Sequence, residues 1–297
     1  MVEQTERIRP IDRMSQFLVV GVRARRAIGR AIVYLLLIVG AAIFSVPLFW
    51  MVTTSLKTMG DILRFPPVWI PVPLHFENYA AAWGYLPFGR FIVNTCVITV
   101  FSSMGYLIGS SLAAFGFSRL RFRGRNLFFT VLLATMMLPS QVTLIPQFVL
   151  FQKLHWLNTF NPLIIPAYCG SPFYIFLLRQ FFLTLPIELD EAARMDGAST
   201  FMIFWRIILP LAKPALSTVA VFAFIYNWND FFGPLIYLTS PQKMTLAVGL
   251  QLFRGRFATN FNNLMAGSTM AVLPVLVVFF AAQRTFIQGI ALTGIKG

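Results

Sequence analysis

Residues 31–55 read AIVYLLLIVGAAIFSVPLFWMVTTS, an apolar stretch that contains no charged side chain. About 20 such residues suffice for a helix to cross the hydrocarbon core of a bilayer. Five further apolar stretches follow, at residues 91–118, 127–150, 161–178, 214–237 and 264–283. Because backbone polar groups find no water in hydrocarbon, each stretch is predicted to be helical. The sequence therefore predicts an all-α membrane protein with six transmembrane helices.

The composition of the whole chain agrees with a membrane protein. Only 11% of the 297 residues are charged, 58% are hydrophobic, and the mean hydropathy is +0.74. A soluble domain carries about 25% charged residues. The net charge of +14 could indicate a nucleic-acid partner, but basic loops that flank membrane spans explain it better. Cys96 and Cys169 lie within apolar runs, which argues against a disulfide framework or a cysteine-based zinc site.

The distribution of Lys and Arg predicts the orientation. With both termini in the cytoplasm, 17 of the 24 basic residues fall in inside segments and 7 in outside segments, as the positive-inside rule requires. Four arginines cluster in residues 119–125, and we expect them to hold this loop at the phospholipid headgroups. The chain is accordingly divided into a cytoplasmic tail at 1–30, which does not resemble a cleavable signal peptide, and a transmembrane domain at 31–297 with its core at about 88–290.

Few residues indicate catalytic or metal chemistry. His75 and His155 fall in separate outside loops, where solvated side chains are expected rather than metal ligands. No glycine-rich phosphate loop is found, so we expect this chain to bind no ATP or other cofactor itself. Asn227, Asn229 and Asp230 lie near the outer end of the fifth span, and two interpretations stay open. They line a polar translocation route, or they are simply wetted at the membrane surface.

A glycine pair in the second span predicts a close helix contact. Gly105 and Gly109 stand four residues apart, the spacing at which small residues let two backbones approach. This pattern is common by chance and indicates tight packing only.

The most informative segment is the inside loop that joins the fourth and fifth spans. Residues 185–214 read LPIELDEAARMDGASTFMIFWRIILPLAKP. Pro186 followed by three acidic residues predicts the start of a helix, Gly197 predicts its left-handed end, and Ser199 or Thr200 can cap a second helix. Phe201, Phe204 and Ile208 are predicted to share one face of that helix. A rigid helix–glycine–helix unit with apolar and acidic surface indicates a docking partner.

This loop resembles the EAA loop of ATP-binding-cassette (ABC) importer permeases. The family pattern is Glu-Ala-Ala, three residues, Gly, nine residues, Ile, one residue and Leu-Pro. It is met without departure by Glu191, Ala192, Ala193, Gly197, Ile207, Leu209 and Pro210. The MDGA form at 195–198, WNDF at 228–231 and GIKG at 294–297 resemble the carbohydrate subgroup, in particular the shorter permease of maltose-type and glycerol-3-phosphate-type importers.

The resemblance implies a complex of known organisation. It predicts a heterodimer with a second permease, two ATP-binding subunits that carry ATP and Mg²⁺ inside, and a solute-binding protein outside, in a bacterial or archaeal cytoplasmic membrane. The chain itself would be non-catalytic. The residues carried over to ATPase coupling are Glu191, Ala192, Ala193, Asp196, Gly197 and Ala198. Those carried over to a C-terminal ATPase contact are Thr293, Gly294, Lys296 and Gly297.

Three alternatives remain open at this point. Within the family, the substrate could be glycerol-3-phosphate or another polyol derivative instead of a sugar. A secondary carrier would show more intramembrane charges and internal repeats. A membrane enzyme would show clustered His, Asp or Cys side chains at one depth.

Overall fold

The computed structural model describes residues 10–254 and 260–294, and the regular elements in this part of the chain are all helices, without a β-strand. The helices are α1 (Pro10–Ser55), α2 (Met59–Leu63), α3 (Glu77–Tyr85), α4 (Phe88–Arg119), α5 (Arg125–Thr135), α6 (Ser140–Lys153), α7 (Asn161–Ile164), α8 (Pro172–Thr184), α9 (Glu188–Met195), α10 (Thr200–Ile203), α11 (Leu209–Leu211), α12 (Lys213–Trp228), α13 (Phe232–Tyr237), α14 (Leu246–Gln251) and α15 (Phe261–Gly294). The 3₁₀ turns are Ile165–Cys169 and Pro241–Lys243, and a π-helical turn spans Phe204–Ile208.

Within the described residues, four helical segments are long and apolar enough to cross a membrane. They are Ile28–Ser55, Phe88–Arg119, Asn161–Thr184 and Phe261–Gln283. A fifth crossing is possible if the pair Thr200–Leu211 and Lys213–Trp228, bent by 79°, counts as one span. The all-helical class predicted from sequence is confirmed. The four long helices and the bent pair give at most five crossings within the described residues, fewer than the six predicted.

The third predicted span, at residues 127–150, is not one helix. It is divided between α5 and α6 by a break at residues 136–139, where Leu138 precedes Pro139. Proline disfavours the helical conformation in the residue before it, so the apolar stretch cannot continue as a single helix. Hydropathy alone does not register such a break.

The chain divides into two compact units, residues 1–53 and 54–297. The first contains most of α1, a helix that begins at Pro10. Much of the predicted cytoplasmic tail at 1–30 is therefore helical and continuous with the first span. At the start of the second unit, the proline-rich loop after α1 holds only the short helices α2 and α3, as its prolines predict.

In the second unit, α4 is the central helix and packs against α8 and α12. Its C-terminal half joins a core cluster with α8, α12 and the segment around α9 and α10, to which it contributes Ala114 and Phe115. Its N-terminal half joins a second cluster with α3, α12, α14 and α15 through Phe88 and Phe91. Buried apolar side chains thus join the loop at 188–211 directly to the membrane helices.

The glycine pair in α4 makes the predicted close contact. A Cβ atom at Gly109 would lie 2.2 Å from the carbonyl oxygen of Tyr168 and 2.7 Å from the amide nitrogen of Gly170. A Cβ atom at Gly105 would lie 2.7 Å from the Tyr168 ring. Only glycine lets α4 approach the 3₁₀ turn at Ile165–Cys169 this closely.

Candidate functional site: the loop between α8 and α12

The helix–glycine–helix unit predicted from sequence is present, and we call residues 188–211 the coupling module, after the role that the family resemblance predicts for them. Its first helix, α9, carries Glu188, Asp190 and Glu191 in its first turn, where the helix dipole favours acidic side chains. Pro186 does not occupy the first helical position as expected. It lies two residues before the helix, because Ile187 serves as the N-cap.

A complete Schellman motif ends α9 at Gly197. The amide of Ala198 donates to the carbonyl of Ala193 at 2.9 Å, and the amide of Gly197 donates to the carbonyl of Arg194 at 3.0 Å. These are the two hydrogen bonds that define the motif. Gly197 has φ 82°, which confirms the left-handed turn predicted for it.

The second half of the module is also capped as predicted. The Ser199 hydroxyl accepts a hydrogen bond from the amide of Met202 at 3.2 Å. The π-helical turn follows, and the chain bends by 79° between α11 and α12. Because of this bend, the second half of the module does not continue along the axis of α12.

Phe201, Phe204 and Ile208, which were predicted to share one face, differ in burial. Phe204 and Ile208 are buried, whereas Phe201 is exposed. The Phe201 ring stacks on Trp205, with centroids 6.4 Å apart, because residues four apart are neighbours on a helix. Both rings add apolar surface to the exposed side of the module.

The predicted coupling residues fall into two groups. Glu191, Ala192, Asp196 and Gly197 are exposed, and Ala198 is half-buried. Ala193 is buried in the core cluster below the module, so its small side chain permits close packing onto this chain's own helices instead of onto a partner. Met195, at the end of α9 and 89% exposed, is an apolar side chain at the tip that the motif had not indicated.

The arginine cluster at 119–125 was predicted to lie at lipid headgroups, and for Arg119 this is wrong. Its side chain is 4% exposed, and its Nη2 atom donates to the carbonyls of Phe182 at 2.7 Å and Leu185 at 2.8 Å. Its Nε atom lies 3.7 Å from Oδ2 of Asp190, whose side chain is 1% exposed. Burial raises the pKa of Asp190, and the charge of Arg119 opposes that rise.

The sequence did contain a signal for this ion pair. Ala114, Phe115 and Ser118 are buried on α4, and Arg119 follows Phe115 by four residues, which places it on the same face. Asp190 likewise stands three residues before the buried Ala193. The signal is visible only when the inward face of each helix is known.

The three polar residues near the end of α12 do not act as one group. Asn227 is buried, and its Nδ2 atom donates to the carbonyl of Ala223 at 2.7 Å. Asn229 is exposed. Asp230 is half-buried, with Oδ1 accepting from the amide of Gly233 at 3.2 Å, so it caps the start of α13.

Three tyrosines lie within electrostatic reach of Asp230: Tyr106, Tyr226 and Tyr237. Tyr226 is exposed beside it.

The remaining candidate residues are those at the C-terminus and those that could bind a metal. Thr293 and Gly294 end α15, whereas Lys296 and Gly297 lie outside the described residues. Cys96 and Cys169 are free thiols. Across residues 10–254 and 260–294, no three His, Cys, Asp or Glu side chains are grouped as a metal site would require.

A capped, exposed EAA module packed onto membrane helices can be compared with known proteins. The family model for the binding-protein-dependent transport system inner membrane component matches residues 105–290. The chain belongs to this family of ABC importer permeases. The permease is 34% identical over 277 residues to the probable ABC transporter permease protein YurM of Bacillus subtilis, covering 93% of this chain and 91% of that relative.

Two further comparisons concern carbohydrate transport. The permease is 35% identical over 257 residues to the arabinooligosaccharides transport system permease protein AraQ of Bacillus subtilis, covering 84% of this chain and 90% of AraQ. Its fold matches a chain in the crystal structure of a bacterial ABC transporter involved in import of the acidic polysaccharide alginate, with a TM-score of 0.78 and 27% identity. That match covers 89% of this chain and 98% of the other.

Proposed function

We propose that this permease forms, with a second permease, the translocation pathway of an ABC importer for a sugar or oligosaccharide. ATP hydrolysis on partner subunits drives transport, and the coupling module transmits the conformational change. One observation carries the proposal. The EAA motif forms a capped unit whose outer side is exposed and whose inner side is buried in the same core as α4, α8 and α12.

The proposed substrate class rests on the relatives. AraQ is named for arabinooligosaccharides and the matched transporter structure for alginate. The alternative substrate is glycerol-3-phosphate or another polyol derivative. It differs from an oligosaccharide in carrying a phosphate or fewer hydroxyl groups. The secondary carrier is disfavoured by the match to the importer family.

The proposed partners follow from the same assignment. They are a second permease, two ATP-binding subunits that hold ATP and Mg²⁺, and an extracytoplasmic solute-binding protein, assembled in a bacterial or archaeal cytoplasmic membrane. Purification of the tagged permease from its native membrane tests this assembly. An ATP-binding subunit and a second permease should co-purify, and ATP hydrolysis should disappear when the ATP-binding subunit is removed. Isolation of an active permease without either subunit would contradict the proposal.

We propose six crossings with both termini in the cytoplasm. Two of them are interrupted, one formed by α5 and α6 and one by α12 and α13. Interrupted spans are tolerated where neighbouring protein satisfies the free backbone groups. The bias of 17 to 7 basic residues supports this orientation.

Labelling of single cysteines from each side of the membrane tests this orientation. Arg123 and Lys153 are both exposed and flank the segment formed by α5 and α6. With Cys96 and Cys169 changed to serine, Arg123→Cys should react only from the cytoplasmic side and Lys153→Cys only from outside. Reaction of both with a membrane-impermeant maleimide from the same side would show that this segment does not cross.

We propose that Asn229, Asp230 and the exposed Tyr226 face the translocation pathway. Asn227 is not part of this surface, because its side chain is buried and bonded within α12. Asp230 has the additional structural role of capping α13.

Asp230→Asn separates these two roles. Asparagine keeps an oxygen that can accept from Gly233 but removes the charge, so the complex should assemble while uptake falls about 10-fold, equivalent to about 1.4 kcal/mol. Asp230→Ala, which removes the cap as well, should also reduce assembly. The measurement is sugar uptake per assembled complex, and wild-type uptake by Asp230→Asn would exclude a role for the charge.

A further inference from the structure

The ion pair between Arg119 and Asp190 is a deeply buried charged contact. Both side chains are almost inaccessible, at 4% and 1% exposure. A buried charge is tolerated when it is paired, and removing one partner leaves the other uncompensated. Asp190 is therefore held where it is by the guanidinium of Arg119.

Arg119 connects three separate elements at one point. It is the last residue of α4, its Nη2 atom bonds the carbonyls of Phe182 and Leu185 at the C-terminal end of α8, and its Nε atom faces Asp190 in the first turn of α9. Cationic donors are favoured at a helix C-terminus, where carbonyls lack partners. The guanidinium thus joins the ends of two membrane helices to the start of the coupling module.

The contact to Asp190 is a charge pair and not a hydrogen bond. The distance is 3.7 Å, and neither Arg119 Nε nor the two Asp190 oxygens have a hydrogen-bond partner within the described residues. The hydrogen bonds from Arg119 to the carbonyls of α8 are short, so they fix the guanidinium to the membrane helices. The longer contact with Asp190 adds an electrostatic attraction to the module. Loss of the Asp190 charge would remove this attraction and leave the bonds from Arg119 to α8 in place.

We propose that Arg119 and Asp190 are positioning residues that fasten the coupling module to α4 and α8, so that a displacement of the module moves these two helices. The inference rests on the proposed function, in which the module docks on an ATP-binding subunit. Without the pair, the module would still dock, but part of its displacement would be lost as motion at residues 185–188.

The experiment compares sugar uptake with binding-protein-stimulated ATP hydrolysis in proteoliposomes of the complete complex. Asp190→Asn preserves the shape of the side chain and leaves Arg119 bonded to α8. Its uptake per ATP hydrolysed should fall about 5-fold or more, the lower end of typical coupling between sites, while the ATP-binding subunits remain bound. Asp190→Glu, which restores the charge, should recover most of the ratio. Glu77→Gln, an exposed acid in α3 outside the module, is the matched control and should keep the wild-type ratio.

A variant that removes both charges tests the inference without leaving one buried charge unpaired, which could itself cause misfolding. Buried ion pairs can often be replaced by apolar side chains without loss of stability, so Arg119→Met with Asp190→Leu leaves no unpaired charge. It also removes the bonds from Arg119 to Phe182 and Leu185, and the complexes that assemble should remain uncoupled. A wild-type ratio in this double variant or in assembled Asp190→Asn would overturn the inference. Equal loss in Asp190→Glu and Asp190→Asn would also overturn it, since shape and not charge would then matter.

Gly197→Pro, assayed in parallel, distinguishes a failure of the ion-pair inference from a failure of the coupling role proposed for the module. If it uncouples while assembled Asp190→Asn does not, only the inference about the ion pair fails. If both retain the wild-type ratio, the coupling role of the module itself fails.

Discussion

Gly197→Pro should reduce ATP-driven uptake at least 10-fold without preventing membrane insertion. Proline fixes φ near −65°, whereas Gly197 has φ 82°. It also removes the amide that donates to Arg194 at 3.0 Å. The Schellman motif would be lost, and the two halves of the module would change their relative direction. Because Gly197 lies outside the spans, the damage should fall on coupling.

Graded substitutions at the same position show whether backbone conformation is the cause. A Cβ atom at Gly197 would meet nothing within 4 Å, so steric contact is not the issue. Gly197→Ala should cost about 1–2 kcal/mol for the left-handed conformation, and Gly197→Asn should cost less, because asparagine tolerates it. The expected order of coupled uptake is Gly, Asn, Ala, Pro. Unchanged uptake in Gly197→Pro would show that the turn does not contribute to coupling.

Gly109→Ala should destabilise the permease strongly, although it adds one methyl group. The new Cβ atom would lie 2.2 Å from the backbone oxygen of Tyr168, and backbone cannot rotate away as a side chain can. Either α4 or the 3₁₀ turn at Ile165–Cys169 must move, at a cost of about 3 kcal/mol. We expect a large fall in the thermal midpoint and in the yield of monodisperse protein in detergent.

The same helix offers a matched control. A Cβ atom at Gly116 would meet nothing within 4 Å, so Gly116→Ala should be neutral or stabilising by up to about 1 kcal/mol through helix propensity. Equal thermal midpoints for the two alanine variants would contradict the close approach of α4 to this turn.

Local signals in the sequence predicted the coupling module well. Gly197 and Ser199 act on the backbone within a few residues of themselves, so their conformations follow from residue type. The same holds for the glycine pair at Gly105 and Gly109, whose absent side chains permit a close approach whatever the partner.

The errors concern features that depend on the folded neighbourhood. Arg119 was read as a headgroup anchor because its neighbours in sequence are arginines, yet the carbonyls of α8 and the Asp190 carboxylate surround it in the fold. Asn227 was grouped with Asp230 by proximity in sequence, although α12 turns its side chain inward. Contacts between distant segments cannot be read from composition or spacing.

The central claim is that this permease couples ATP hydrolysis on partner subunits to the import of a sugar. The most direct measurement is uptake of labelled oligosaccharides into proteoliposomes that contain the complete complex, with the solute-binding protein on the outside and ATP inside. The account predicts accumulation that requires both the binding protein and ATP hydrolysis, and that is lost when Gly197→Pro permease replaces the wild type. Uptake that continues without ATP, or follows an imposed ion gradient instead, would contradict it.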